Sequence, residues 1–215
     1  MKKHIVLVSI SIIFFSFSAV VNAQTNEIGL IAGVNIANLE EKDSDFNSLT
    51  GFGIGGVLDI TLGEKISLLL EPMYLQKGAS EDEEGVTLDI KLAYIEIPAL
   101  FKVQFGDGST KPYLMAGPTI GLNVGADLEV SMGSMSVEVD FADLIETFDF
   151  GLAFGGGVSF KAGNNSFFIE AKYSLGLADI TKTGEIDING IGFEFPETEV
   201  KTTGIKIMAG MLFPF

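Results

Sequence analysis

The stretch Ile28-Gly-Leu-Ile-Ala-Gly-Val-Asn-Ile-Ala37 decides the fold. Ile28, Leu30, Ala32, Val34 and Ile36 share one parity, and Gly29, Ile31, Gly33, Asn35 and Ala37 the other. A period of two with one bulky apolar face reads as a β-strand. The pattern recurs in Phe52, Ile54, Leu58 and Ile60, then in Ile66, Leu68, Leu70 and Tyr74. It returns in Leu114 to Val124, in Phe150 to Phe160, in Phe167 to Leu177 and in Ile205 to Phe215. One further strand breaks phase: Leu88, Ile90, Leu92 and Tyr94 hold one parity, whereas Ile95, Ile97, Ala99, Phe101, Val103 and Phe105 hold the other. A slip of one residue flips every side chain, so a β-bulge is expected near Ala93 to Ile95.

These patterns make eight strands, and the face opposite the apolar one identifies their surroundings. It carries Gly29, Gly33, Gly53, Gly55, Gly117, Gly121, Gly151, Gly155, Gly157, Gly176, Gly204 and Gly210. A soluble barrel would turn charged side chains outward at those positions, whereas glycines suit a narrow lumen. No window after residue 24 holds 18 consecutive apolar residues, so any membrane crossing is by strands. Short turns fall at Thr61 to Lys65, Gly106 to Lys111 and Lys161 to Ser166. Long connections run Glu40 to Thr50, Gly78 to Thr87, Gly125 to Phe148 and Ile180 to Glu199. The expectation is all-β: an eight-stranded antiparallel transmembrane β-barrel with short periplasmic turns and long acidic extracellular loops.

The chain of 215 residues has 13 Lys+Arg, 29 Asp+Glu, one His and no Cys, with a net charge of −16. Lys2, Lys3 and His4 precede an uncharged run from Ile5 to Phe17, and small residues lead to Val21-Asn22-Ala23. This is the pattern of a signal peptide, residues 1–23, cleaved before Gln24, with residues 24–215 forming the barrel domain. Cleavage removes two Lys, the His and no acid, leaving 11 Lys against 29 acids, a net −18. Without His or Cys the mature chain lacks the usual bases, thiol nucleophiles and most zinc, haem or cluster ligands, so no cofactor is expected. Nor does it offer the basic face that nucleic acid requires.

Nearly all the negative charge falls in the four long connections, which read as a solvated rim or as a surface for a divalent cation or cationic partner. Glu185-Ile-Asp187-Ile-Asn189-Gly190 has a faint calcium-loop spacing, but Pro196 stands where the closing Glu belongs. On the glycine-bearing parity lie Asp59, Glu71, Glu96, Lys102, Glu170, Lys172 and Lys206. Four acids against three lysines in a narrow interior point to a mutually satisfied network that plugs the lumen, or to an ion path.

Two long connections read as β-ribbons with apolar stripes. Around Met132-Gly133-Ser134-Met135, pairing outward matches Met132 with Met135, Val130 with Val137 and Leu128 with Val139. Around Asn189-Gly190 it matches Ile188 with Ile191 and Ile186 with Phe193. Such stripes either pack on each other or on neighbouring loops, or mark contact sites for a partner protein that adds to the edge.

The segments Gly33-Val-Asn-Ile-Ala-Asn-Leu39, Leu70-Glu-Pro-Met-Tyr-Leu-Gln-Lys-Gly78, Tyr94-Ile-Glu-Ile-Pro-Ala-Leu-Phe-Lys102, Tyr113-Leu-Met-Ala-Gly-Pro-Thr-Ile-Gly121 and Ile169-Glu-Ala-Lys-Tyr-Ser-Leu-Gly-Leu177 resemble the PorT-like outer-membrane β-barrel family. The resemblance runs from about Gly29 to Phe215. It implies a Gram-negative outer-membrane barrel embedded in lipid, with a protein secretion apparatus as one setting. It supplies no catalytic set to carry over. Phe215, preceded by apolar residues at alternate positions, is similar to the C-terminal signal read by the barrel assembly machinery. Three functions follow in order: an interaction or accessory subunit with an outer-membrane or secretion-complex partner, a small ion- or solute-conducting porin, and last a lipid-acting enzyme, disfavoured because its base would be a His.

Overall fold

The computed structural model describes residues 26–41, 46–83, 85–133, 135–182, 184–188, 191–195 and 199–215, so the leader lies outside the described residues. Its strands are β1 (Glu27–Glu41), β2 (Asn47–Thr61), β3 (Ile66–Leu70), β4 (Met73–Glu83), β5 (Val86–Gln104) and β6 (Thr110–Met132). They continue as β7 (Met135–Asp140), β8 (Phe148–Ala162), β9 (Asn165–Gly176), β10 (Gly184–Ile188), β11 (Ile191–Phe195) and β12 (Val200–Pro214). Every pairing is antiparallel, and β12 closes on β1 from Glu27 opposite Pro214 to Glu41 opposite Val200. The result is an eight-stranded ring in which β3 and β4 together form one broken strand. The break falls at Glu71 and Pro72, where proline has no N–H to give the ladder. Its carbonyl still accepts from the Gly56 N–H at 2.9 Å, and the Glu71 N–H reaches Pro98 O at 3.2 Å.

The ring is apolar outside and mixed inside. Ile28, Leu30, Phe52, Ile97, Phe101, Leu114, Phe154, Ile169 and Ile207 are exposed on the outer face. Such a belt needs hydrocarbon around it, as in outer-membrane barrels. Ile31, Val57, Leu69, Met73, Leu75, Leu100 and Met208 pack inside with the charged residues. Glycine lets the strands coil this tightly: a Cβ on Gly155 would stand 2.1 Å from Ala171 O.

The phase break near Tyr94 has a different origin from the expected one. A register shift does fall between Ala93 and Tyr94, but the extra residue is Val124 on β6, because Ala93 faces Gly125 and Tyr94 faces Asn123. Strand β5 itself runs straight against β4 from Met73 opposite Glu96 to Glu83 opposite Val86. Leu92, Tyr94, Glu96, Leu100 and Lys102 are all buried on one parity. What changes at Tyr94 is the surroundings: below it the outer face meets hydrocarbon, and above it water. The apolar residues therefore change sides although the backbone does not.

That change also corrects the second long connection and adds a strand beside the expected hairpin of the third. Gly78 to Thr87 is mostly ladder, and the segment after Gly125 continues β6 to Met132 before returning as β7. Strands β4 to β7 thus project from the outer rim as one four-stranded sheet. The closed barrel should run as a compact species in SDS without boiling and shift on heating; Gly155→Ala should abolish that species, because overpacking against backbone costs at least the usual ~1–3 kcal/mol. Gly63→Ala, where a Cβ meets nothing within 4 Å, should leave the heat-dependent shift intact.

Candidate functional site: charged core and outer apolar face

The interior charges form two tiers. Nearer the short turns, Lys102 Nζ lies 2.5 Å from Asp59 Oδ2 and 4.8 Å above the Tyr113 ring. The Tyr113 hydroxyl donates to Glu170 Oε2 at 2.8 Å. Lys172 lies 2.6 Å from Glu170 Oε1 and pairs also with Glu71. Nearer the outer mouth, Lys206 pairs with Glu96. Lys77 lies 2.9 Å from Glu96 Oε2, 2.9 Å from Asp149 Oδ2 and 4.7 Å above the Tyr94 ring. Thr202 Oγ1 donates to the same Asp149 oxygen at 2.9 Å.

The seven charged residues singled out by parity are all buried here and joined by ion pairs. Sequence reasoning missed Lys77 and Asp149, although both carried a signal. Lys77 follows Met73 and Leu75 on the inward parity, and Asp149 sits between the outward Phe148 and Phe150. The apolar alternation that ends at Tyr74 stops short of Lys77, and the one that begins at Phe150 starts just past Asp149. With them, each of the four lysines touches at least one carboxylate, and the upper tier ties together β4, β5, β8 and β12. In a low-dielectric interior such pairing offsets much of the cost of removing the charges from water.

Above the rim, the projecting sheet presents an apolar face several strands wide. Leu88 opposes Val130 and Ile90 opposes Leu128 across β5 and β6. Val130 in turn opposes Val137, Leu128 opposes Val139 and Met132 opposes Met135 across β6 and β7, with Gly133 at φ +59° in the turn. The first stripe is thus wider than a two-stranded ribbon, and its base is half-buried. Its tip is open, with Met132 56%, Met135 70% and Val137 62% exposed. Asp89, Glu129 and Glu138 line up on the other face, where Lys91 pairs with Glu129. Among the described residues, β7 is paired on one edge alone. Strands β10 and β11 pair with Ile186 opposite Phe193 and Ile188 opposite Ile191, but their side chains lie outside the described residues.

At the foot of the apolar face the outer mouth holds a pocket of about 240 Å³. Leu39, Phe46, Ile90, Leu92, Phe141 and Ile180 contribute to its wall, with Glu41, Thr181 and Lys182 as polar members. Its frame is hydrogen-bonded backbone: Glu146 N–H to Ile180 O at 2.7 Å, Lys182 N–H to Leu144 O at 2.8 Å and Ile180 N–H to Val200 O at 3.0 Å. Asp179 anchors the frame by accepting from the N–H groups of Thr181 and Val200 at 3.0 and 3.1 Å. Burial alone would raise its pKa, but these donors hold it below the usual carboxylate range, so the anchor weakens only on strong acidification. The opposite mouth is polar, about 510 Å³, with Glu27, Gln104, Lys111 and Lys161 in its lining. Phe215 lies exposed beside it, its N–H bonded to Asn26 O at 3.0 Å. Among the described residues, no group of three or more acidic, His or Cys side chains is placed to hold a metal ion.

A family model described as "Outer membrane protein beta-barrel domain" matches residues 22–182. No curated protein matches the sequence. Among solved structures, neisserial surface protein A (NspA) superposes with a TM-score of 0.51 at 15% identity, covering 87% of this chain and 97% of that one. This likeness is one of fold. Ail, the attachment invasion locus protein of Yersinia pestis, gives 0.46 at 16% identity, with 88% and 100% covered. The outer membrane protease OmpT from Escherichia coli gives 0.33 at 11%, with 89% and 97% covered.

Removing one member of the upper tier leaves opposite charges unpaired in the interior. Lys77→Met should lower stability by about 3–5 kcal/mol, measured by urea unfolding in lipid vesicles. Lys77→Met with Asp149→Asn should recover part of that loss, because the second change removes a stranded charge. A double variant no more stable than the single one would mean that Lys77 and Asp149 are not coupled.

Proposed function

Because the chain belongs to the outer membrane protein β-barrel domain family and is integral to a Gram-negative outer membrane, we propose that it acts there as a non-enzymatic interaction or accessory subunit. The observation that carries this reading is the exposed Met132, Met135 and Val137 tip on a hydrogen-bonded sheet whose β7 edge has no strand partner among the described residues. Apolar side chains next to an open strand edge are what a partner engages by adding a strand. The charged tiers plug the lumen, since eight strands leave room for little more than side chains. The partner is an outer-membrane or secretion-complex protein, a reading supported by the PorT-like strand motifs. The second ribbon, through Ile186, Ile188, Ile191 and Phe193, adds to the contact surface. The leader is cleaved after Ala23, Phe215 serves recognition by the assembly machinery, and the acidic outer surface attracts divalent cations.

Two measurements test the reading. A tagged copy taken from native membranes in mild detergent should carry a stoichiometric companion. Met135→Ser with Val137→Ser should weaken its retention by about tenfold or more while the heat-dependent shift in SDS persists. In planar bilayers the purified barrel should show no conductance steps. A lone barrel that conducts would move the assignment to a small porin.

A further inference from the structure

We propose that the outer-mouth pocket binds a small uncharged apolar molecule, a medium-chain alcohol or hydrocarbon, independently of any protein partner. Three observations on the pocket point to this class. The first is size: an apolar cavity of ~150 Å³ accommodates benzene, so 240 Å³ corresponds to a ligand of about nine or ten non-hydrogen atoms. The second is the wall. Ile145 and Ile180 are held by a backbone frame that joins the Leu144 to Glu146 segment to residues 180–182 and on to β12, Leu39 by its place in the β1–β12 ladder and Phe141 by its N–H on Ala126 O. The pocket is therefore formed before a ligand arrives, as small-molecule sites usually are.

The third is charge. Glu41 and Lys182, of opposite sign, and the Thr181 hydroxyl are the polar lining. Glu40, Asp143 and Glu146 neighbour the lining residues in sequence and keep the surroundings acidic. A carboxylate head group would be repelled, whereas a hydroxyl can both donate and accept there. Beneath the pocket lies Tyr94 with Lys77, Glu96 and Asp149 packed below it. That charged floor gives an apolar molecule no favourable way down, so the site retains its ligand at the mouth.

The test is a titration of octanol into the barrel held in lipid nanodiscs, followed through isotope-labelled methyl groups. Saturable shifts are expected at Leu39, Ile145 and Ile180 but not at the lipid-facing Ile169 and Ile207. Octanoate, fully ionised, should need at least tenfold higher concentration for the same shifts. Leu144→Trp, which fills the pocket, should abolish saturation while leaving the heat-dependent shift in SDS unchanged. If that variant fails to fold, Val200→Phe serves the same purpose. Shifts that rise linearly, or that match those of Ile169 and Ile207, mean partitioning into lipid and overturn the proposal. Saturation that survives both variants overturns the location, and equal affinity for octanoate overturns the uncharged class.

Discussion

A strand in hydrocarbon can send its N–H and C=O groups only to another strand. Each one left unpaired costs several kcal/mol, so the sheet must close on itself. The long ladder between β1 and β12 is that closure. With eight strands the ring is narrow, its interior must be filled, and its glycines admit neighbouring backbone where a Cβ could not fit. The charged tiers follow from the same constraint. Lysines and carboxylates placed inside so narrow a ring have few partners but one another, which is why every core lysine is seated against an acid.

The ring could be read from the sequence because lipid imposes a strict period of two. Ile28 to Ile36 and Ile205 to Phe215 alternate cleanly since each second side chain meets hydrocarbon. Where strands leave the membrane that code inverts, and inversion looks like a slip. Leu88, Ile90 and Leu92 point the same way as Glu96 and Lys102, yet a reading by hydrophobic parity separates them. The real slip, at Val124, left no such trace because it coincides with the same inversion: the outward Leu122 and Val124 and the buried Ala126 fall on one sequence parity. The hairpin register around Gly133 was legible residue by residue. That β5 extends the same sheet to Met132 was not, since the acids of Glu81 to Glu83 and the glycine that follows read as a loop.

The candidate site shows the same limit. Seven of its charges lay within strands already recognised by their apolar face, whereas Lys77, in the middle of β4, and Asp149, at the start of β8, lay just outside the apolar alternations that end at Tyr74 and begin at Phe150. The mouth pocket had no local signature at all. Its wall is drawn from β1, β5, β12 and three connections, and the sequence separation between Leu39 and Val200 leaves no spacing to recognise.

The ladder from the membrane up to Met132 is unbroken apart from the single extra residue at Val124. Four strands leaving the bilayer with their hydrogen bonds intact behave as a cantilever rather than as a tether. A pull along the strands at the tip loads many ladder bonds in shear at once, while a sideways push is resisted by the width of the sheet. Force and torque applied at Met132 and Met135 are therefore delivered to the ring instead of being absorbed by a slack loop. The bulge sets where such a load bends the projection, just above the hydrocarbon boundary and beside the pocket.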